Sequence, residues 1–307
     1  MSQFAPIILF AYNRPELTLQ TLQSLSKNAE AAKSHLFVFS DGAKETATDL
    51  QIANIQKVRD LVLSQKWCKK VTLYSAEKNK GLANSVIDGV TKIVNEFGKV
   101  IVVEDDVLLS PYFLKFMNDA LDKYEHDERV CGVGSWNYFT SVETVDTNFF
   151  LRHPDSISWA TYQRAWAKFN PDTDYLLTEI KKKGLSKYLN MNNSIDLIKM
   201  LNQQKAGKVD SWAVRWTASM VLENMLTLYP QHSMARHEGY AQGTHFTGHE
   251  EAYDTDLPLC NHPLSMDDIL VEENKLAVKA YIKHHQKHHG LWAKSKTTIK
   301  RLLNLSS

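Results

Sequence analysis

Short apolar runs alternate with helical stretches along the first hundred residues, and this alternation restricts the fold more than any other feature. The apolar runs lie at residues 6–12, 35–42, 70–74 and 98–103. The stretches between them carry apolar residues at helical spacing, at residues 15–25, 53–63 and 82–97. Continuous apolar strands separated by helices are typical of a mostly parallel central sheet flanked by helices on both faces. The sequence therefore predicts an α/β fold.

The composition is that of a globular protein, with 43% hydrophobic and 23% charged residues among 307. No apolar run approaches the roughly 20 residues of a membrane-spanning helix, and no basic residue precedes the first apolar run. The cysteines Cys68, Cys131 and Cys260 are far apart in the sequence, which favours neither a disulfide framework nor a thiolate zinc site. We therefore expect a cytoplasmic protein with free core cysteines.

The formal net charge of +1 combines two oppositely charged parts. Eight of the 36 Lys and Arg residues and none of the 35 Asp and Glu residues lie at 275–307, so this tail carries +8 and the rest carries −7. The acidic body argues against nucleic-acid binding. The tail resembles a short basic amphipathic helix, with Ile299, Leu302 and Leu303 as its apolar residues, that would contact an anionic membrane peripherally. A C-terminal helix docked on the acidic body is the alternative.

Polar clusters follow the predicted strands or lie in the loops beyond them: Asn13-Arg14, Ser40-Asp41-Gly42, Asn79-Lys80-Gly81 and Glu104-Asp105-Asp106. Ligands of parallel sheets bind at the carboxyl ends of the strands. We therefore expect these clusters to converge on one cleft.

The triplet Glu104-Asp105-Asp106 is the most informative of these clusters. Three adjacent carboxylates after an apolar strand repel one another and lose hydration unless a cation neutralises them. A hard divalent ion that also binds phosphate oxygens would do so. An acidic loop that caps the next helix is the alternative. The neighbouring polar loops favour metal and phosphate.

The remaining clusters are each open to two interpretations. Asp41 would accept hydrogen bonds from a nucleobase or ribose, or would form an ordinary Asp-Gly turn. Arg14 would bind a pyrophosphate, or would be an exposed arginine. The segment Asn79-Lys80-Gly81 would approach a phosphate, or would be a plain loop.

Taken in order, these residues resemble nucleotide-sugar-dependent glycosyltransferases of the GT-A fold, in particular the N-acetylglucosaminyltransferase I-like group and its bacterial family 2-type relatives. The matching segments are PIILFAYNRPELTLQTLQSL from residue 6, FSDG at 39–42, EKNKGLANSVIDGV at 77–90 and VIVVEDDVLLSPYFLKFM at 100–117. In the last segment, EDD before a Ser-Pro helix start resembles that group's version of the DxD metal motif. Further likeness at 158–166, at 210–216 and up to Phe246 extends the resemblance over residues 5–250.

The resemblance implies a GT-A catalytic domain at 1–255, with a nucleotide-sugar-binding half at 1–107 and an acceptor half at 108–255, followed by a helical basic tail at 256–307. Asp106 would ligate Mn²⁺ or Mg²⁺ at the donor diphosphate. His245 would complete the metal shell or hold a phosphate oxygen, although it competes with His237 and His249 and with a plain loop histidine. The residues implied in donor binding are Ala11, Tyr12, Asn13, Arg14, Asp41, Lys80, Gly81, Ser85, Glu104 and Asp105.

Asp210 is the candidate general base that the resemblance implies. The animal enzymes have an acidic residue directly before the following Trp, where this chain has Ser211. Three other acidic residues therefore stay open as the base: Glu179, Glu238 and Asp155. The tryptophans Trp159, Trp166 and Trp212 would form a wall for a sugar face or, more commonly, belong to the core.

The sequence thus predicts a metal-dependent, inverting glycosyltransferase that moves a sugar from a UDP-sugar to a hydroxyl of a bacterial surface polysaccharide or glycolipid. UDP-N-acetylglucosamine is the donor that the resemblance suggests, and a saccharide or lipid-linked saccharide is the acceptor. The enzyme would act in the cytoplasm or at the inner face of the membrane. A nucleotidyltransferase and a non-catalytic scaffold of polysaccharide assembly are the alternatives.

Overall fold

A computed structural model of the chain describes residues 4–137, 145–238 and 258–289, and most of their strands form one central mixed sheet. The strands in chain order are β1 (Ile7–Ala11), β2 (His35–Ser40), β3 (Lys70–Ser75), β4 (Lys99–Glu104), β5 (Val107–Leu109), β6 (Val130–Gly134), β7 (Phe149–Leu151), β8 (Ser158–Tyr162), β9 (Leu226–Tyr229) and β10 (Ala235–His237). The central sheet has the order β3-β2-β1-β4-β8-β6-β9-β7, and β5 pairs with β10 beside it. Because β1 to β4 pair in parallel, the fold needs a crossover connection between each of them.

Helices supply these crossovers and cover the sheet. They are α1 (Pro15–Ser26), α2 (Asp49–Leu63), α3 (Leu82–Phe97), α4 (Phe113–Lys123), α5 (Gln163–Trp166), α6 (Thr173–Lys182), α7 (Ser186–Leu189), α8 (Leu197–Lys205), α9 (Trp212–Leu222) and α10 (Lys275–His289), with a 3₁₀ helix at Ala29–Lys33. Alternate residues of β1 join two cores, one shared with α1, α2 and α4 and the other with α3, α5 and α9. The α/β fold class, with its mostly parallel central sheet flanked by helices, is confirmed.

The antiparallel strand β8 decides where the strand ends meet. It lies between β4 and β6 and runs opposite to both, so that Ser158 at its start is level with Val103 near the end of β4. Gly132 permits this pairing, since a Cβ atom there would lie 2.2 Å from the carbonyl oxygen of Ala160. The carboxyl ends of β1, β2, β4, β6 and β9 and the start of β8 therefore share one edge of the sheet.

The tryptophans belong to the core, and the interpretation of them as a sugar-binding wall is wrong. Trp159, Trp166, Trp212 and Trp216 are all buried in the layer between the sheet and α9. The rings of Trp159 and Trp212 stack with centroids 5.1 Å apart. This stacking leaves their faces in contact with other side chains.

The C-terminal segment packs on the rest of the molecule as far as it is described. Cys260 and Leu264 join the core next to α4, and α10 packs Ala277 and Tyr281 against β7. Residues 275–289 therefore form a helix that is docked on the body. The amphipathic stretch around Ile299 lies outside the described residues. The proposed boundary at 255/256 also falls outside them, and the division into halves stays a prediction.

The cysteines and the helices bear on two expectations from composition, namely free core cysteines and no membrane-spanning segment. All three cysteines, Cys68, Cys131 and Cys260, lie among them, and each is free and buried. Among the described residues, no helix is long and apolar enough to cross a bilayer.

Candidate functional site

The carboxylate triplet lies at the shared edge of the sheet, where β4 gives way to β5. Asp105 and Asp106 occupy the two positions between these strands and are almost fully buried. The backbone N–H of Tyr12, just after β1, donates to Oδ2 of Asp105 at 3.2 Å. The ends of β1 and β4, which are neighbours in the sheet, are thereby tied together.

Arg14 supplies a positive charge to this pair of carboxylates. Its Nη1 donates to Oδ2 of Asp106 at 2.7 Å, and its Nη2 donates to Oδ1 of Asp105. Burial works against the charged guanidinium, but Asp105 and Asp106 outweigh this effect, so the pKa of Arg14 is raised. Its side chain is 24% exposed, in contrast to the carboxylates that it contacts.

His237 reaches the same carboxylate through the pairing of β10 with β5. His237 is opposite Val107 in this antiparallel ladder, which brings its Nε2 to 3.4 Å from Oδ2 of Asp106. The backbone N–H of Glu238 donates to the carbonyl of Asp106 at 2.8 Å. Sequence reasoning selected His245 for the metal, and His245 lies outside the described residues, so its role stays a prediction.

Glu104, Asp106 and His237 form a group that could hold a metal ion. One ligand atom from each lies within 4.8 Å of the others. Oδ1 of Asp106 is buried and accepts no hydrogen bond from any residue that the structure describes. A buried carboxylate oxygen without a partner costs free energy, and two carboxylates with an imidazole are suitable ligands for a divalent cation. The residues present therefore fit such an ion.

The ionisation of these groups points the same way. Burial, followed by repulsion from Asp106 and Asp105, raises the pKa of Glu104 well above its usual value. Burial also raises the pKa of Asp105 to about 6, although Arg14 opposes the change. Burial lowers the pKa of His237 more than Asp106 raises it. The positive charge of Arg14 is thus too small to balance the carboxylates at this edge, and a bound cation would stabilise their ionised forms.

Asp41 fixes the loop that precedes α3. Its carboxylate accepts the backbone N–H groups of Gly42 and Lys80, both at 2.9 Å, and of Gly81 at 3.0 Å. Gly42 is required for this contact, because a Cβ atom there would lie 2.5 Å from the carbonyl carbon of Lys78. Both oxygens of Asp41 are therefore engaged with the protein backbone, and a contact to a nucleobase stays a prediction.

The other predicted donor-binding residues surround this edge. Ala11 ends β1 and accepts the N–H of Asp41 at 3.3 Å, and Asn13 lies beyond it, half-buried. Ser85, in the first turn of α3, donates its N–H to Gly81. Lys80 extends along α3, with its Nζ 3.0 Å from Asp88 in an exposed ion pair. The predicted set therefore lies around the carboxyl ends of β1, β2 and β4.

Arg59 is a structural contributor that sequence reasoning missed. From α2 its guanidinium donates to Oγ of Ser40 at 3.2 Å and to the carbonyls of Asp41 at 3.3 Å and Ala76 at 2.8 Å. It therefore joins the ends of β2 and β3 behind the loop held by Asp41. A lone arginine inside a helix carries no sequence signal for this role.

The candidate bases differ in their surroundings. Asp210 lies before α9, with its side chain 56% exposed, and its Oδ1 accepts a hydrogen bond from Arg215 at 3.0 Å. Glu238 is exposed beside Asp106 and pairs with Arg236 at 2.6 Å. Glu179 pairs with Lys182 on α6 at 3.3 Å.

Asp155 has a different environment from these three. It is buried, and its two oxygens accept the backbone N–H groups of Ser135, Trp136, Ser156 and Ile157 at 2.7–3.1 Å. Both of its oxygens are thus engaged with the backbone, and its role as a base stays a prediction. It joins the segment after β6 to the segment before β8.

Comparison with known proteins gives similar folds at low identity. No protein-family model and no curated protein matches the chain. S. aureus TarS is similar to it at 14% identity, with a TM-score of 0.33, over 53% of this chain and 28% of that one. The galactosyltransferase LgtC in complex with donor and acceptor sugar analogues is similar at 8% identity, with a TM-score of 0.37, over 73% and 72%. A UDP-glucose pyrophosphorylase complexed with UDP-glucose is similar at 13% identity, with a TM-score of 0.36, over 74% and 90%.

The chain thus spans under a third of TarS. A galactosyltransferase and a UDP-glucose pyrophosphorylase are thus both among the matching structures.

Proposed function

We propose that this chain is a metal-dependent glycosyltransferase that transfers a sugar from a UDP-sugar to a hydroxyl of a saccharide or lipid-linked saccharide acceptor. The observation that carries the proposal is the buried, unpartnered Oδ1 of Asp106 within the group formed with Glu104 and His237. This group lies at the carboxyl ends of the strands, where α/β sheets bind their ligands. UDP-N-acetylglucosamine is the donor that we propose to test first.

Three side chains would hold the metal ion, namely those of Glu104, Asp106 and His237. When bound, Mn²⁺ or Mg²⁺ neutralises charge on the donor diphosphate and on the departing nucleotide diphosphate. The ion would also bind both Glu104 and Asp106 and so offset the repulsion between their carboxylates. Asp105 is directed instead to Arg14 and to the backbone of Tyr12.

The first turn of α3 would receive the donor phosphates, since the N–H groups of Lys80 and Gly81 before it already donate to Asp41. Asp41 holds the preceding loop in place, and Gly81 adopts a φ of +78° at the position before the helix. All of α3 lies in the described part of the chain, and its first turn carries no acidic residue. Backbone N–H groups and the helix dipole at such an end attract anions.

Asp210 would act as the general base of a single displacement. Its carboxylate would take the proton of the acceptor hydroxyl while that oxygen forms a bond to the anomeric carbon, and the bond from the sugar to the nucleotide diphosphate breaks. One displacement inverts the anomeric configuration. Glu238 is the alternative base, because it lies directly beside Asp106.

Calorimetry of UDP binding tests the metal site. We expect the full chain to bind UDP in Mn²⁺, and we expect binding to weaken at least about tenfold in EDTA or in Asp106→Asn, since a good charged contact is worth about 1.5–3 kcal/mol. Asp119→Asn is the control, because Asp119 forms an exposed ion pair with Lys115 on α4. Equal affinity of Asp106→Asn and the wild type in Mn²⁺ would contradict the proposal.

A further inference from the structure

Arg14 is hydrogen-bonded to the carboxylate of Asp106, which is also a ligand of the proposed metal ion. Its Nη1 bonds Oδ2 of Asp106, whose Oδ1 belongs to the same carboxyl group and has no partner among the described residues. A cation held by Asp106 would therefore lie close to the guanidinium. Like charges at such separations repel strongly in a partly buried site.

The backbone around Arg14 does not favour a cation at this position. Arg14 precedes Pro15 at the amino end of α1, and it makes no side-chain capping bond to that helix. The amino end of a helix carries partial positive charge, which disfavours a neighbouring guanidinium. The two aspartates therefore hold the Arg14 side chain in place against its own helix.

The main chain of Arg14 is held independently of its side chain. Its main chain is fixed, since the carbonyl of Arg14 accepts bonds from the N–H and the hydroxyl of Thr18 at 2.9 and 2.8 Å. The side chain beyond it is 24% exposed and ends at the edge where the donor would bind. A change of its side-chain rotamer would therefore leave these main-chain bonds of α1 in place.

We propose that Arg14 is an internal counter-cation that competes with the divalent metal ion for Asp106. Without the metal ion the guanidinium offsets part of the negative charge of Asp105 and Asp106. With the ion bound, it would leave Asp106 and become available to the donor diphosphate. Arg14 thus lowers the affinity for metal alone and stabilises the metal-free fold. This inference rests on the proposed function and concerns the regulation of the same site.

Calorimetric titration with MnCl₂ alone, without nucleotide, tests the competition. We expect Arg14→Gln to bind Mn²⁺ about tenfold or more tightly than the wild type, because a like charge is removed from the site. We expect Arg14→Lys to lie between the two, since an ammonium lacks the fork that contacts both carboxylates. Arg14→Lys also keeps the test valid should the glutamine variant fail to fold without metal.

Thermal unfolding gives a second readout with a matched control. Arg14→Gln should melt at a lower temperature than the wild type in EDTA and should gain more from Mn²⁺, as ligand linkage requires for tighter binding. Arg152→Gln removes another buried arginine, which pairs with Glu273 beside β7. This control should lose stability in EDTA but keep the Mn²⁺ affinity of the wild type.

The outcomes separate the inference from the function on which it rests. If the wild type binds Mn²⁺ and both Arg14 variants bind it no more tightly, Arg14 organises the carboxylates for the metal and the competition is disproved. If neither the wild type nor the variants bind Mn²⁺, the proposed metal site itself fails and the competition fails with it.

Discussion

At the scale of single residues, the site depends on carboxylates whose surroundings give them different roles. Oδ1 of Asp106 is buried without a partner among the described residues, whereas Asp155 is buried with four backbone donors and Asp41 holds a loop. The sequence predicted the triplet because its members are adjacent and follow an apolar strand. It left Asp155 open as a base, since its four donors come from two segments that only the fold brings together.

Replacement of Asp41 tests its role in holding the loop. Asp41→Asn exchanges one acceptor oxygen for an NH₂ group that faces the N–H groups of Lys80 and Gly81. We expect the free energy of unfolding to fall by about 0.5–1.5 kcal/mol, the net contribution of a hydrogen bond, because these donors are only partly buried. Urea unfolding measures this change, and Asp60→Asn on the exposed face of α2 is the control.

UDP affinity in Mn²⁺ distinguishes a held loop from a direct base contact. If Asp41 acts only by holding the loop, Asp41→Asn should lower the affinity for UDP and the affinity for inorganic pyrophosphate by the same factor. Loss confined to UDP, at unchanged stability, would contradict the loop-holding role of Asp41 and favour its contact with the nucleobase.

At the scale of elements, pairing between distant segments completes the site. The strands from β1 to β4 and their helices could be predicted because each is a local pattern in the sequence. His237 could not, since it reaches Asp106 only through the pairing of β10 with β5, two short strands far apart in the chain. A loop containing several histidines gives no local signal that selects one of them.

The close pairing of β6 with β8 gives a prediction at this scale. Gly132→Ala should lower the free energy of unfolding by more than about 3 kcal/mol, because its Cβ would meet the rigid backbone of Ala160. Gly98→Ala is the control: Gly98 ends α3 at a φ of +79° with open space around its Cβ position, so only about 1 kcal/mol is expected. Equal losses in urea unfolding would show that the β6–β8 contact can relax.

At the scale of the whole molecule, the C-terminal helix is joined to the body through a buried, partly ionic contact. Arg152 pairs with Glu273, and its guanidinium lies over the ring of Tyr188 at 3.4 Å. The ring of His153 meets that of Tyr281 on α10 edge to face. Charge patterning in the sequence marked the tail as separate, but the apolar residues that dock α10 are too few to reveal this contact.

His153 makes this region sensitive to acid. Burial, with Arg152 beside it, lowers the pKa of His153 from 6.5 to about 3. Below pH 6.5 the unfolded chain therefore binds a proton that the folded chain does not, so stability is present above this pH and is lost as the pH falls towards 3. The lost contribution amounts to about 2 kcal/mol between pH 7 and pH 5.

Urea unfolding at a series of pH values tests this prediction. His153→Phe keeps a ring against Tyr281. It should remove the fall of about 2 kcal/mol in the free energy of unfolding that His153 contributes between pH 7 and pH 5. His126→Gln, at an exposed position, is the control for the loss of a histidine. A slope that is identical in the wild type and His153→Phe would show that His153 is not responsible.

Release of the nucleotide product tests the central claim most directly. The wild type is incubated in Mn²⁺ with UDP-N-acetylglucosamine or another UDP-sugar and a saccharide or lipid-linked saccharide acceptor, and release of UDP is measured. A parallel incubation contains UTP and a sugar 1-phosphate, from which a nucleotidyltransferase would release pyrophosphate. The proposed function predicts UDP as the product, and release that falls at least about a hundredfold in Asp106→Asn, as when a single charge-stabilising group is removed from an active site. Pyrophosphate release from UTP and a sugar 1-phosphate without UDP release from the UDP-sugar, or UDP release at an unchanged rate in Asp106→Asn, would contradict it.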